Sequence, residues 1–463
     1  MSTAVFTIGA DSAARPGEAR VLVLGVTAFT ALVLLCAFVP APLPVRLAAA
    51  GVAAVLCLYS WSGALLVLLS VLALPMQGVG VSGLVPLLAV LTLGKWAMLE
   101  FPRRGMAVGA AVVAALMMVW WLGAQSLRAE STAQVVQWLY PGAAVLLGLL
   151  LVNPLRLADL NQADRLFPIP VLAGFATRVL SQLGVEPEGL RSAVSAAARL
   201  DVLQKLTADQ TLLTMGARLN RNLLPGEEPN YQAMQLALIA CVILFLAARE
   251  GGAALRGRGH ALLRAVLAGL VLWQIVGTYS RTGLAACVVI GATLLLGLRA
   301  SWPTRAAIAG AGVATAVLLP GLAGGAGLRF RSLQAQLAGN LSDRADAWGN
   351  GWTVWTQNVL LGGGPGSVKA TQGLSSHHTY LNYFAELGLV AGAALLVIAL
   401  GVPLWRLARW GEGERQTRAA LLATFVVLQF AMFTLTLEYS WFFSMWLAVL
   451  YLGLQRIGPG TAA

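Results

Sequence analysis

A chain of 463 residues that is 58% hydrophobic and only 11% charged has too little polar surface to cover its own apolar groups in water, which excludes an ordinary soluble domain. Apolar runs of about 20 residues recur along it, the length that crosses a hydrocarbon layer of about 30 Å. The expected fold class is therefore all-α, a polytopic α-helical membrane protein, and the formal charge of +12 reads as topology signal and lipid-headgroup attraction; no nucleic acid is implied.

The first twenty residues contain Gly, Pro and Ser but no signal-type apolar stretch, so the first span itself is expected to direct insertion. Spans are read near 21–39, 47–60, 63–76, 82–98, 105–124, 133–152, 166–184, 231–248, 261–279, 283–299, 304–323, 380–403, 418–437 and 440–457. The second and third are short enough for a tight hairpin or a re-entrant pair, which leaves about 12 to 14 crossings. Cys36, Cys57, Cys241 and Cys287 all fall inside spans and read as packing residues.

With the N-terminus inside, the cytoplasmic connections hold Lys95, Arg103, Arg104, Arg156, Arg165, Arg249, Arg256, Arg258, Arg299, Arg305, Arg406 and Arg409 among others, and the short outer turns hold only Arg46, Arg128 and Arg281. That asymmetry puts both termini in the cytoplasm. The expected organisation is one integral membrane domain over 1–463 with two long outer loops, 185–230 and 325–379.

In the first loop, Arg191 to Leu213 has the apolar spacing of a helix lying along the membrane. Arg218 and Arg221 then approach the next span, and two guanidinium groups at a bilayer surface suit phosphate oxygens bidentately; snorkelling is the plainer alternative. Arg281 sits in the turn Tyr279-Ser280-Arg281-Thr282-Gly283, where positive charge opposes the topology rule and points to an anionic partner. The second loop reads as a helix over 344–360 opened by Ser342-Asp343, with Trp348, Trp352 and Trp355 on one face as headgroup anchors or, alternatively, a sugar platform. The run Leu361-Gly362-Gly363-Gly364-Pro365-Gly366-Ser367 follows, whose glycines let backbone N–H groups approach an anion.

Two of the three histidines, His377 and His378, stand where this loop enters a span, and imidazole is the side chain best suited to proton exchange near neutral pH. Glu386 lies about 180° round a helix from His377 if the helix starts there, so it reads as a structural partner to an arginine rather than a second base.

Together these residues resemble the O-antigen ligase and O-antigen polymerase family: Arg281 in a short outer turn, Arg344 ahead of a Trp-bearing helix, a glycine turn containing Gly364 and Gly366, and His-His-x-Tyr-Leu-x-x-x-x-Glu-x-Gly. The family motif is commonly His-Asn-x-Tyr-Leu, so His377 matches its histidine and His378 replaces its asparagine. Arg218 to Tyr231 resembles the family's first outer loop, without deciding between Arg218 and Arg221. The resemblance implies glycan transfer from an undecaprenyl-diphosphate-linked donor at the periplasmic face of the bacterial inner membrane. A ligase uses lipid A core as acceptor; a polymerase uses a second lipid-linked glycan. On this reading His377 is the general base and Arg281, Arg218 or Arg221, and Arg344 bind the diphosphate. His378, Tyr380, Glu386, Gly364 and Gly366 give support, and neither metal nor cofactor is expected. From another class, a lipid-linked glycan flippase would share the cationic surface but would place its ionisable groups near mid-membrane in repeated halves.

Overall fold

A computed structural model describes residues 16–75, 84–106, 109–188, 229–248, 258–297, 344–372, 376–409, 415–437 and 441–456, leaving out positions 130, 184, 186, 279 and 436. Arg218, Arg221, the expected Arg191–Leu213 helix and the expected span at 304–323 lie outside the described residues, as does most of each long loop.

Among the described residues every regular element is helical. Four helices are long and apolar enough to cross a membrane, Gly17–Phe38, Gln134–Leu155, Thr379–Ala408 and Thr417–Thr434, and eight shorter apolar helices accompany them. The chain is a polytopic helical membrane protein. Its residues divide into two compact units, one formed by Met1–Lys95 with Leu157–Gln204 and one by Trp96–Arg156 with Lys205–Ala463.

In the first unit the expected second and third spans are Leu43–Tyr59 and Trp61–Ala73, separated only by Ser60. Ser60 Oγ accepts the Gly63 N–H at 2.9 Å, and a Cβ on Gly63 would lie 2.4 Å from the Leu56 carbonyl, so the corner closes because residue 63 lacks a side chain. At about 1.5 Å per residue the second arm is about 20 Å long, short of a full crossing. Among the described residues of this unit, two cations are buried. Lys95 Nζ donates to Cys57 O at 3.4 Å and lies 4.0 Å over the Trp61 ring. Arg178, 3% exposed, donates to Gly174 O at 3.2 Å.

The second unit carries the candidate chemistry. Arg415–Thr434 packs against Pro229–Ala248, Arg281–Gly297, Thr379–Leu396 and Trp441–Arg456. Ala110–Ser126 and Thr132–Leu155 form a hairpin, and the first of them also packs on Thr379–Leu396. Thr379–Leu396 runs on through a π-helical turn, Val397–Gly401, into Val402–Ala408. Such a turn leaves carbonyls poorly matched along the chain. Gln429 Nε2 donates to Ala399 O and the Tyr451 hydroxyl donates to Ile398 O, each at 2.7 Å, which supplies the missing donors.

Candidate functional site

His377 is the one non-glycine residue with positive φ among those described, at 50°, a conformation that costs an L-residue about 1–2 kcal/mol. Its neighbours hold it there. Ser376 is fully buried; its hydroxyl accepts the His378 N–H at 3.2 Å and donates to the buried Asn382 Oδ1. Thr379, also fully buried, donates to Leu435 O at 2.6 Å and accepts the Leu437 N–H at 3.0 Å. His377 itself is exposed. A bend fixed by buried polar groups on both sides thus presents one imidazole at the surface.

His378 has a different role. It is the N-cap of Thr379–Leu396, with Nδ1 accepting the Leu381 N–H at 3.2 Å, one of the donors a helix start leaves without a partner. Asparagine, the residue the family motif carries here, is among the best N-caps, so the substitution keeps the capping acceptor while exchanging the amide for imidazole. The ring sits 4.8 Å from Phe433 and 5.6 Å from Trp348, both edge-on. Burial there holds its pKa below the ordinary 6.5, with a backbone hydrogen bond opposing in part. An uncharged ring is what a capping acceptor requires.

Tyr380 points into the bundle. It is 6% exposed, and its hydroxyl donates to Gln429 Oε1 at 2.5 Å. Because the helix starts at Thr379 rather than His377, Glu386 falls two turns in, where it is 4% exposed. Its carboxylate accepts the Gly366 N–H at 2.8 Å, and its carbonyl accepts the Gly364 N–H at 2.9 Å. The anion that the glycine turn approaches is therefore the protein's own carboxylate.

The glycines make that docking possible. Gly362, Gly364, Gly366 and Gly388 have φ of 71°, 97°, 79° and 85°. A Cβ on Gly388 would lie 2.2 Å from Leu360 O, and one on Gly362 would lie 2.4 Å from Glu386 O. Glu-x-Gly in the helix and the glycine run in the loop are two halves of one joint. Leu387 O, freed by the break at Gly388, accepts the Trp121 indole N–H at 3.2 Å.

The tryptophan helix occupies 344–357, three residues shorter at its end than the pattern suggests because the chain turns at Asn358 toward the glycine run. Trp355 packs 5.3 Å from Phe384 and 4.8 Å from Trp352, whereas Trp352 is 56% exposed. Trp348 and Trp355 thus contribute to the histidine helix, while Trp352 and, to a lesser extent, Trp348 keep an open face. Arg344 stands half-buried at the start of this helix.

Arg281 is the first residue of Arg281–Gly297. Ser280 Oγ accepts the Gly283 N–H at 3.2 Å and donates to Asn230 Oδ1 at 2.7 Å. That second bond ties the arginine turn to Pro229–Ala248, the helix onto which the first long loop delivers the chain. A Cβ on Gly283 would lie 2.6 Å from the Ala233 Cβ, so the two helix heads are in close contact.

The structure thus joins His377, His378, Tyr380, Glu386, Gly364 and Gly366 in one motif and places the Arg281 turn on the same bundle, through Arg415–Thr434. Sequence reasoning assigned no role to Ser376, Asn382, Gln429 and Asn230. Gln429 had a usable signal, an amide inside an apolar span, which is costly without partners.

These features define a helical membrane protein whose polar apparatus is gathered where long loops enter the bundle. Residues 265–396 match the family model described as O-antigen ligase, a stretch that holds the Arg281 turn, the tryptophan helix, the glycine turn and both histidines. Over that stretch, which is less than a third of the chain, the protein is similar to the O-antigen ligase family. No curated protein matches the chain.

Proposed function

We propose that this protein transfers a glycan from undecaprenyl diphosphate to a sugar hydroxyl of lipid A core, at the periplasmic face of the bacterial inner membrane, with both termini cytoplasmic. The observation that carries the reading is the strained, exposed His377 held by buried Ser376 and Thr379. Strain of this kind persists where surrounding structure enforces it, and it collects at functional sites.

In the proposed step the acceptor oxygen attacks the anomeric carbon while the bond from that carbon to the diphosphate oxygen breaks. His377 takes the hydroxyl proton, undecaprenyl diphosphate leaves, and configuration inverts. Arg281, with Arg218 or Arg221 and with Arg344, stabilises the charge developing on the leaving group. The position of Arg281 supports this, since a cation in the first turn opposes the helix macrodipole and weakens the helix. Its positive charge adds to that of the helix terminus, which suits an anion from outside. No metal ion is required on this account.

The test is transfer in vitro with purified protein, a polyprenyl-diphosphate-linked glycan and either lipid A core or a second carrier-linked glycan. Product on lipid A core, retained in EDTA and reduced about 10²–10⁴-fold by His377→Ala, is the expected result. Lengthened carrier-linked glycan would make the protein a polymerase. Undiminished transfer by His377→Ala would remove the base assignment, and no product with either acceptor would favour a flippase.

A further inference from the structure

The glycine turn has a second side. Opposite its contact with Glu386, Gly363, Gly364 and Pro365 close a cavity of about 250 Å³ whose other wall is Arg128, Gln134, Gln137 and Trp138. That is somewhat below the range of about 300–1,000 Å³ typical of drug-sized ligands and suits a single sugar ring. Gln134, Gln137 and Trp138 come from the start of Thr132–Leu155, at spacings of three and four that put them on one helix face. Both glutamines are exposed, and Trp138 packs 3.5 Å from where a Cβ on Gly364 would be. A side chain at that position would fill the cavity wall.

Arg128 gives the cavity its charge. It is exposed and one of three basic residues on the short outer turns, where the topology rule disfavours it. The turn positions it: Nη1 donates to Gln125 Oε1 at 2.9 Å, and the guanidinium carbon lies 6.0 Å over the Trp138 ring. Gln125 is buried, so the arginine is anchored from below while the rest of its donor fork remains for an anion. An aromatic wall, two amides and an oriented guanidinium are the groups that recognise a sugar ring bearing negative charge.

We propose that this cavity is a subsite for a glycan residue carrying a carboxylate or phosphate group, with Arg128 reading the anion and Gln134 and Gln137 the ring hydroxyls. The substrate class rests on the glycan-transfer reading above. The site itself lies outside the groups assigned to proton transfer and diphosphate binding. It shares with them only the glycine turn, so a seated sugar would bear on the segment that leads to His377.

The experiment is saturation-transfer NMR on the full chain in nanodiscs, with methyl glucuronide, glucose 6-phosphate, methyl glucoside and inorganic phosphate as separate probes. One or both anionic sugars should bind about tenfold more tightly than the neutral glucoside. Arg128→Gln should abolish that preference, Arg128→Lys should restore part of it, and Gln137→Ala should weaken both sugar types. The better anionic sugar identifies carboxylate or phosphate as the group read. Equal binding of charged and neutral sugars, or no change in Arg128→Gln, would overturn the proposal. So would inorganic phosphate binding as tightly as the sugars, since that describes an anion site without a ring. Repeating the titration in His377→Ala separates the two readings: charge selectivity that persists there while transfer remains at wild-type level would leave the subsite standing and remove the catalytic assignment.

Discussion

Two helix starts carry the candidate chemistry, and they solve the same problem differently. At Arg281–Gly297 the cap is Ser280, and the cation proposed to bind the diphosphate is the first helical residue, inside the dipole it opposes. At Thr379–Leu396 the cap is His378, and the candidate base stands two residues ahead of the first helical residue in left-handed conformation. Each cap is locked to a remote segment, Ser280 to Asn230 and the histidine bend to the chain around Leu435 through Thr379. On the proposed roles, the difference is that a helix terminus adds its charge to a cation that binds an anion, whereas a base set clear of the terminus keeps its proton affinity.

Substitutions at each start should break or sharpen the contrast. Arg281→Lys keeps the charge and removes the fork; we expect transfer to fall about 10²-fold with thermal stability unchanged, and equal activity would show that the fork is not used. Gly388→Ala attacks the joint beneath the histidine start. The φ of 85° and the 2.2 Å approach to Leu360 O should cost about 2 kcal/mol or more, read as a lower melting temperature. Gly291→Ala, whose Cβ would meet nothing within 4 Å, should hold or raise it. Ser280→Ala removes the serine cap and the bond to Asn230, an expected loss of about 1 kcal/mol, with raised KM for the lipid-linked donor if the arginine turn drifts.

The smallest effect separates the caps by pH. The folded pKa of His378 lies below the ordinary 6.5, so the unfolded chain takes up its proton first as pH falls. The contribution of the neutral imidazole is complete above about 6.5 and is lost below it, toward the folded pKa. His378→Asn should keep the cap, and its melting temperature between pH 7.5 and 5.5 should fall less steeply than that of the wild type. Parallel curves would show that His378 does not titrate in the transition.

Much of the bundle was legible because an apolar run of span length has few alternatives. The extent of the histidine helix and the tight corner at Ser60 follow from it. What was not legible involved contacts remote in sequence. For Glu386, expected to pair with an arginine, the bond it accepts from the Gly366 N–H twenty residues earlier was not foreseen. Spacing along one helix does not show which loop returns to it. The glycines were read as suited to an anion, and the pattern does not distinguish a substrate phosphate from an internal carboxylate. His378 was a departure from the family motif until its ring nitrogen was seen to cap a helix, a role fixed by the start of that helix at Thr379.

The wide turn at Val397–Gly401 sets a phase. Residues in an α-helix advance about 100° each, so shortening this segment by one residue to restore regular α geometry would rotate the stretch between the Gly388 break and Leu396 by roughly that angle against Val402–Ala408. Gln429 spans the interval like a gauge block, receiving the Tyr380 hydroxyl at one end and giving its amide hydrogen to Ala399 O at the other. Across the break at Gly388, it is this side chain that ties the start of the histidine helix to the irregular turn some twenty residues away.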